Sequence, residues 1–200
     1  MIVQTNFQYK EPLISLNLQK LFFIILHHIE AEQATPEEID TWHKENGWNG
    51  FGYNEYIRKD GTVYVGRGDN IGAQCAGMNS KSYGIAVEGN YNTEFEMPDV
   101  QFKSLLERVE YNKSRFPNSV EITPHSRFVD TKCPGQYFPF QKLIAALAQD
   151  EIFDNDLKVL KACGVINSPD YWEKNAVFSG SVSGEYARAL IHNMASKLPK

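Results

Sequence analysis

The chain has 200 residues, a net charge of −5 and 42% hydrophobic residues, which is room for one medium domain, or for a domain of about 150 residues with a small appendage. An acidic balance without basic clusters excludes a broad nucleic-acid surface. The longest apolar run, Leu21–Leu26, is too short to cross a bilayer, and three scattered cysteines (Cys75, Cys133, Cys163) make no disulfide framework, which suits a reducing compartment.

The opening residues Met1–Asn6 show no basic stretch followed by an apolar one, so no secretory signal is visible. Leu21–Leu26 is continuous, short and aromatic-rich, and predicts a strand buried on both faces. The end of such a strand opens on the crevice where α/β folds keep their sites, and His27 and His28 stand there. Thr35-Pro36-Glu37-Glu38 predicts a helix start with a capping box, and Ile39, Trp42 and His43 give that helix an apolar face. The runs Tyr53–Arg58 and Thr62–Val65, joined through Lys59-Asp60-Gly61, predict a hairpin. Tyr83–Val87 reads as a strand, and 98–116 as an amphipathic helix stopped by Pro117. A further helix is expected over 138–149. From Asp150 the texture changes: a short helix through Phe153, Leu157 and Leu160 with Gly164 at its end, a helix start at Ser168-Pro169, a loop from Phe178 to Gly184, and a last helix over 185–196. The expected division is 1–149 as the main domain and 150–200 as a small helical module.

Two separated segments offer metal donors. Strand neighbours point to opposite faces, so one of His27 and His28 faces the crevice. His125 and Cys133 stand eight residues apart in a loop bounded by Pro124 and Pro134. Two imidazoles and a thiolate suit zinc and leave a fourth position open. On spacing alone the bland readings stand equally: a buried histidine is ordinarily a hydrogen-bonded core residue, and Cys-Pro-Gly also serves as a turn.

The order of further motifs resembles one family. Ile24-Ile25-Leu26-His27-His28, Trp42-His43-Lys44-Glu45-Asn46-Gly47-Trp48, Phe51-Gly52-Tyr53-Asn54, the run Lys59–Arg67, Asn79 with Ser82-Tyr83-Gly84-Ile85, and His125 with Cys133 are similar to the zinc-dependent N-acetylmuramoyl-L-alanine amidases, a group that includes phage lysozyme-amidases and animal peptidoglycan recognition proteins. The resemblance covers about Leu21 to Ile144. It implies an α/β fold, a central mixed β-sheet flanked by helices, followed here by the helical module. It implies Zn2+ on His27, His125 and Cys133, with Tyr53 and Thr131 as catalytic residues. It implies substrate contacts at Asn54, Gln74 and Asn79. The reaction it implies is zinc-assisted hydrolysis of the amide between N-acetylmuramate and L-alanine, with peptidoglycan muropeptides as partner and neither nucleic acid nor membrane. The lack of a visible signal fits an endolysin that waits in a host bacterial cytoplasm until lysis; a bacterial autolysin and a non-catalytic peptidoglycan-binding protein are the alternatives. The chain departs from the family where Asn54 and Gln74 replace histidines and where His125-Ser126-Arg127 replaces His-Arg-Asp, which touches substrate contacts and spares the zinc ligands.

Overall fold

A computed structural model describes residues 1–117, 119–176 and 181–197. Its order is β1 (Ile2–Gln4), β2 (Phe23–His28), α1 (Pro36–Glu45), β3 (Glu55–Ile57), β4 (Val63–Val65), β5 (Ser82–Val87), α2 (Asp99–Arg115), β6 (Glu121–Pro124), α3 (Phe140–Ala162), α4 (Pro169–Asn175) and α5 (Gly184–Lys197). The strands form a mixed six-stranded sheet in the order β1-β4-β3-β5-β2-β6. Among the described strand pairs only the β3–β4 hairpin is antiparallel. The chain divides into two compact units, Met1–Phe140 and Gln141–Lys200.

Strand β2 runs between β5 and β6, which explains its uninterrupted apolar sequence. It extends two residues further than Leu26, so both histidines are strand residues, paired in register with Ala86 and Val87. Alternation then separates them. His27 faces the side that carries Gln74, and His28 faces the opposite side, where its Nδ1 accepts the Tyr91 N–H at 3.0 Å. Helix α2 buries Phe102, Leu105, Leu106 and Val109, the i, i+3, i+4, i+7 stripe read from the sequence. The capping box of α1 forms as expected, with Thr35 and Glu38 exchanging bonds.

Two short strands, β1 and β6, were not expected; three or four residues are too few to show a period. The helices expected over 138–149 and through Phe153–Leu160 are one helix, α3, because Phe140–Ala162 contains neither Gly nor Pro to break it. The expected boundary at Gln149 therefore falls inside a helix. Part of the loop expected from Phe178 to Gly184 lies outside the described residues. The second unit has its own small core of Leu157, Val165, Ile166 and Trp172, with Tyr171 and Tyr186 stacked at 3.4 Å. Among the described residues no helix is long and apolar enough to cross a membrane.

Candidate metal centre

The end of β2 and the loop after β6 meet in the first unit. Ser126 N–H donates to Cys133 O at 2.9 Å, which closes the loop on itself and sets His125 beside Cys133. The His27 and His125 rings lie 4.4 Å apart between centroids. One donor atom from each of His27, His125 and Cys133 lies within 4.8 Å of the other two.

The protonation of His27 is settled by its neighbour. Its Nε2 lies 2.6 Å from Gln74 Oε1, an amide oxygen that only accepts, so Nε2 carries the hydrogen. Nδ1 is left with its lone pair, 3.7 Å from Cys133 Sγ. Gln74 is oriented in turn: its Nε2 donates to Ser82 Oγ at 2.8 Å, and Ser82 donates to Met78 O at 2.8 Å. Gly84 on β5 makes room for this, since a Cβ there would stand 2.6 Å from Gln74 Cγ. Burial lowers the pKa of His27, with His125 adding to the shift, and burial also lowers that of His125. Both rings are thus neutral ligands at neutral pH. Burial pushes the Cys133 thiol up to about 12, so its proton leaves only when a cation takes its place. Two neutral imidazoles, a thiol and a fixed outer partner fit zinc, and the set lacks the oxygens that Mg2+ or Ca2+ require.

Tyr53 precedes β3, with its ring 5.3 Å from that of His27 and 5.3 Å from that of His43. Burial holds its phenol far above the ordinary tyrosine range, so at neutral pH it donates hydrogen bonds and does not act as a base. His43, read from the sequence as part of a helix face and of the Trp42–Trp48 motif, packs beside it. His43 Nδ1 accepts the Gly52 N–H at 2.9 Å, and burial lowers its pKa to about 4.

Two depressions adjoin the 125–135 loop. One, of 410 Å3, is lined by Trp48, Gln74, Asn79, His125 and Val129 among others. The other, of 720 Å3, is lined by Ser126, Thr131, Lys132 and Pro134 with residues of the 92–93 and 135–140 segments. Thr131 accepts the Cys133 N–H at 3.2 Å, and its own hydroxyl hydrogen remains available.

The three expected substrate contacts are placed differently from one another. Asn54 is fully buried and lines neither depression; it donates to Gly68 O and Asn70 O and accepts from Gly84 N–H, tying the hairpin to β5. Asn79 lines the smaller cleft but accepts the N–H groups of Gln74 and Cys75, bracing the segment that carries Gln74. Gln74 lines the same cleft while holding His27. The sequence alone did not reveal the roles of Gln74, Ser82 and His43; the one local sign was a glycine in the middle of a buried strand.

The N-acetylmuramoyl-L-alanine amidase family, Amidase_2, matches residues 17–136. The chain is 34% identical over 120 residues to an endolysin of Klebsiella phage KP32, covering 56% of this chain and 79% of that one. It is 32% identical over 128 residues to peptidoglycan-recognition protein SC2 of Drosophila melanogaster, covering 58% and 68%. Among solved structures it is similar to the N-acetylmuramoyl-L-alanine amidase LysC from Clostridium intestinale URNW, with TM-score 0.68 and 36% identity over 74% of this chain and 97% of that one. Bumblebee PGRP-SA is also similar, with TM-score 0.63 and 28% identity over 70% and 92%.

Proposed function

The chain belongs to the N-acetylmuramoyl-L-alanine amidase family, and on that premise we propose that it cleaves the amide between the lactyl group of N-acetylmuramate and L-alanine with zinc held by His27, His125 and Cys133, acting on bacterial walls as an endolysin. Peptidoglycan hydrolysis is the activity its endolysin and amidase relatives support. The observation that carries the site is the convergence of three donors from two segments that the sequence holds about a hundred residues apart. Cys133 favours an amidase over a protein that only binds, because a thiolate completes a three-ligand catalytic set.

Zinc at such a site supplies Lewis acidity, making water acidic and polarising a carbonyl oxygen. The residues of the chain do the rest. Gln74 keeps His27 in the tautomer whose Nδ1 can ligate. Tyr53, protonated and beside His27, donates to the oxygen on which negative charge grows as the amide carbon becomes tetrahedral. Thr131 offers a second hydroxyl and cannot act as a base. Trp48 and Val129 wall the smaller cleft.

The test is a Tyr53→Phe variant assayed for metal content and for release of new L-alanine amino groups from purified walls. The expected result is full zinc occupancy with kcat reduced by about a hundredfold to a thousandfold, the usual effect of losing one oxyanion donor. Unchanged turnover would remove Tyr53 from the mechanism. Failure of the zinc-loaded parent to release any amine would remove the amidase assignment.

A further inference from the structure

His28 faces the side of β2 opposite His27, and its side chain is wholly buried. Its Nδ1 accepts the Tyr91 N–H at 3.0 Å, so Nε2 carries the ring hydrogen. Glu30 faces that nitrogen, with Oε1 3.7 Å from Nε2, and the same oxygen accepts from Asn92 Nδ2 at 3.3 Å. The end of β2 and the residues after it are thus fastened twice to the segment of Tyr91 and Asn92. That segment supports the turn that bears Cys133. Tyr91 O accepts the Tyr137 N–H at 2.9 Å, and Asn92 O accepts from Gln136 Nε2 at 3.1 Å. Gly135 lies against the peptide between Tyr91 and Asn92: its φ is +106°, and a Cβ there would stand 2.4 Å from the Tyr91 carbonyl carbon and 2.9 Å from Asn92 N. The turn is closed by the Gly135 N–H on Lys132 O at 2.6 Å, across Cys133. The thiol completes the circuit by donating to His28 O at 3.9 Å.

We propose that His28 is a positioning residue for Cys133. Through the Tyr91 peptide it sets how closely the Cys133-Pro134-Gly135 turn approaches β2, and so where Sγ stands relative to His27 Nδ1. The proposal rests on the reading of Cys133 as a zinc ligand. Neighbours on one strand then serve one ion from opposite faces: His27 as a donor, His28 through the backbone of a second loop. The separation it guards is a narrow one. Zinc bonds of about 2.3 Å to sulfur and about 2.0 Å to nitrogen, at a tetrahedral angle, put the two donors about 3.6 Å apart. Cys133 Sγ stands 3.7 Å from His27 Nδ1. A ligand set of this kind works only when it is held to within about half an ångström, and the turn owes that placement to what it rests on.

The experiment loads the full chain with Co2+. It reads the thiolate-to-cobalt charge-transfer absorption and, by competition with a chelator, the Co2+ affinity. His28→Asn carries an acceptor oxygen as many bonds from Cβ as Nδ1 is, His28→Gln carries it one bond further out, and His28→Leu carries none. His28→Asn is expected to keep the absorption and the affinity of the parent. His28→Gln and His28→Leu are expected to weaken the absorption and to lower the affinity by about ten- to a hundredfold, the usual effect of losing an outer partner. Parent-like absorption and affinity in all the variants overturn the proposal even where their urea midpoints fall, because His28 then supports the fold alone. A His28→Asn protein as impaired as His28→Leu overturns it too, since the acceptor is then not what matters. If His28→Leu does not fold, the contrast between His28→Asn and His28→Gln decides by the same criteria. A parent without thiolate-to-cobalt absorption overturns the reading of Cys133 as a ligand and this proposal with it, whereas a parent that shows it and variants that match it overturn this proposal alone.

Discussion

Gln74 fixes which nitrogen of His27 faces Cys133, and it does so with an uncharged acceptor. A Gln74→Leu variant keeps the volume and removes that acceptor, leaving Nε2–H in a buried place without a partner. The ring then takes either tautomer, so zinc affinity is expected to fall by about ten- to a hundredfold, the usual effect of losing such an outer partner. Competition with a chelator measures this directly, and an unchanged zinc affinity would sink the idea. The sequence exposed His27 and Cys133 because their motifs are local. It did not reveal that Gln74 also holds His27, because the partner is 47 residues away and is met only through the register of β2 on β5. Asn54 illustrates the same limit. Its motif neighbour Tyr53 sits at the candidate site, while its own amide is consumed by three backbone groups.

Elements with strong local signals were legible: the capped start of α1, the Asp-Gly hairpin and the apolar stripe of α2. Their junctions were not. The last turn of α1 is tied to the segment bearing Tyr53 by the bond from Gly52 N–H to His43 Nδ1. That bond requires an unprotonated Nδ1, and burial adds to the preference, holding the pKa near 4 against about 6.5 in an unfolded chain. Because the folded value is the lower one, the unfolded state takes up the proton first. The contribution of His43 to stability is whole above pH ~6.5 and is lost as pH falls through that window toward about 4, by an amount on the order of 2–3 kcal/mol. His27 and His125 are lowered too, so the parent loses more than this single share. Urea unfolding of the parent and of His43→Gln at pH 7 and pH 4.5 isolates it. The variant is expected to be less stable at pH 7 and to lose less on acidification, and equal losses in the two proteins would refute the account.

Across the whole molecule, the candidate site draws every residue from Met1–Phe140, and the second unit contributes a small aromatic and aliphatic core of its own. A net charge of −5 gives no general attraction to an anionic wall, so wall affinity has to come from specific contacts. The composition change at Asp150 does not mark the end of a helix, since α3 runs from Phe140 to Ala162 through it. Leu143 and Leu147 are buried before it, and Phe153, Leu157 and Leu160 belong to the second core after it. A cut after Gln149 therefore falls inside α3 and removes the second core entirely. If the module targets the wall, the fragment 1–149 hydrolyses soluble muramoyl peptides as the full chain does and binds intact walls on the order of tenfold more weakly, since the loss of one linked binding site removes its avidity. Sedimentation of both proteins with purified walls measures the difference. Equal binding would assign all wall recognition to the first unit and its grooves.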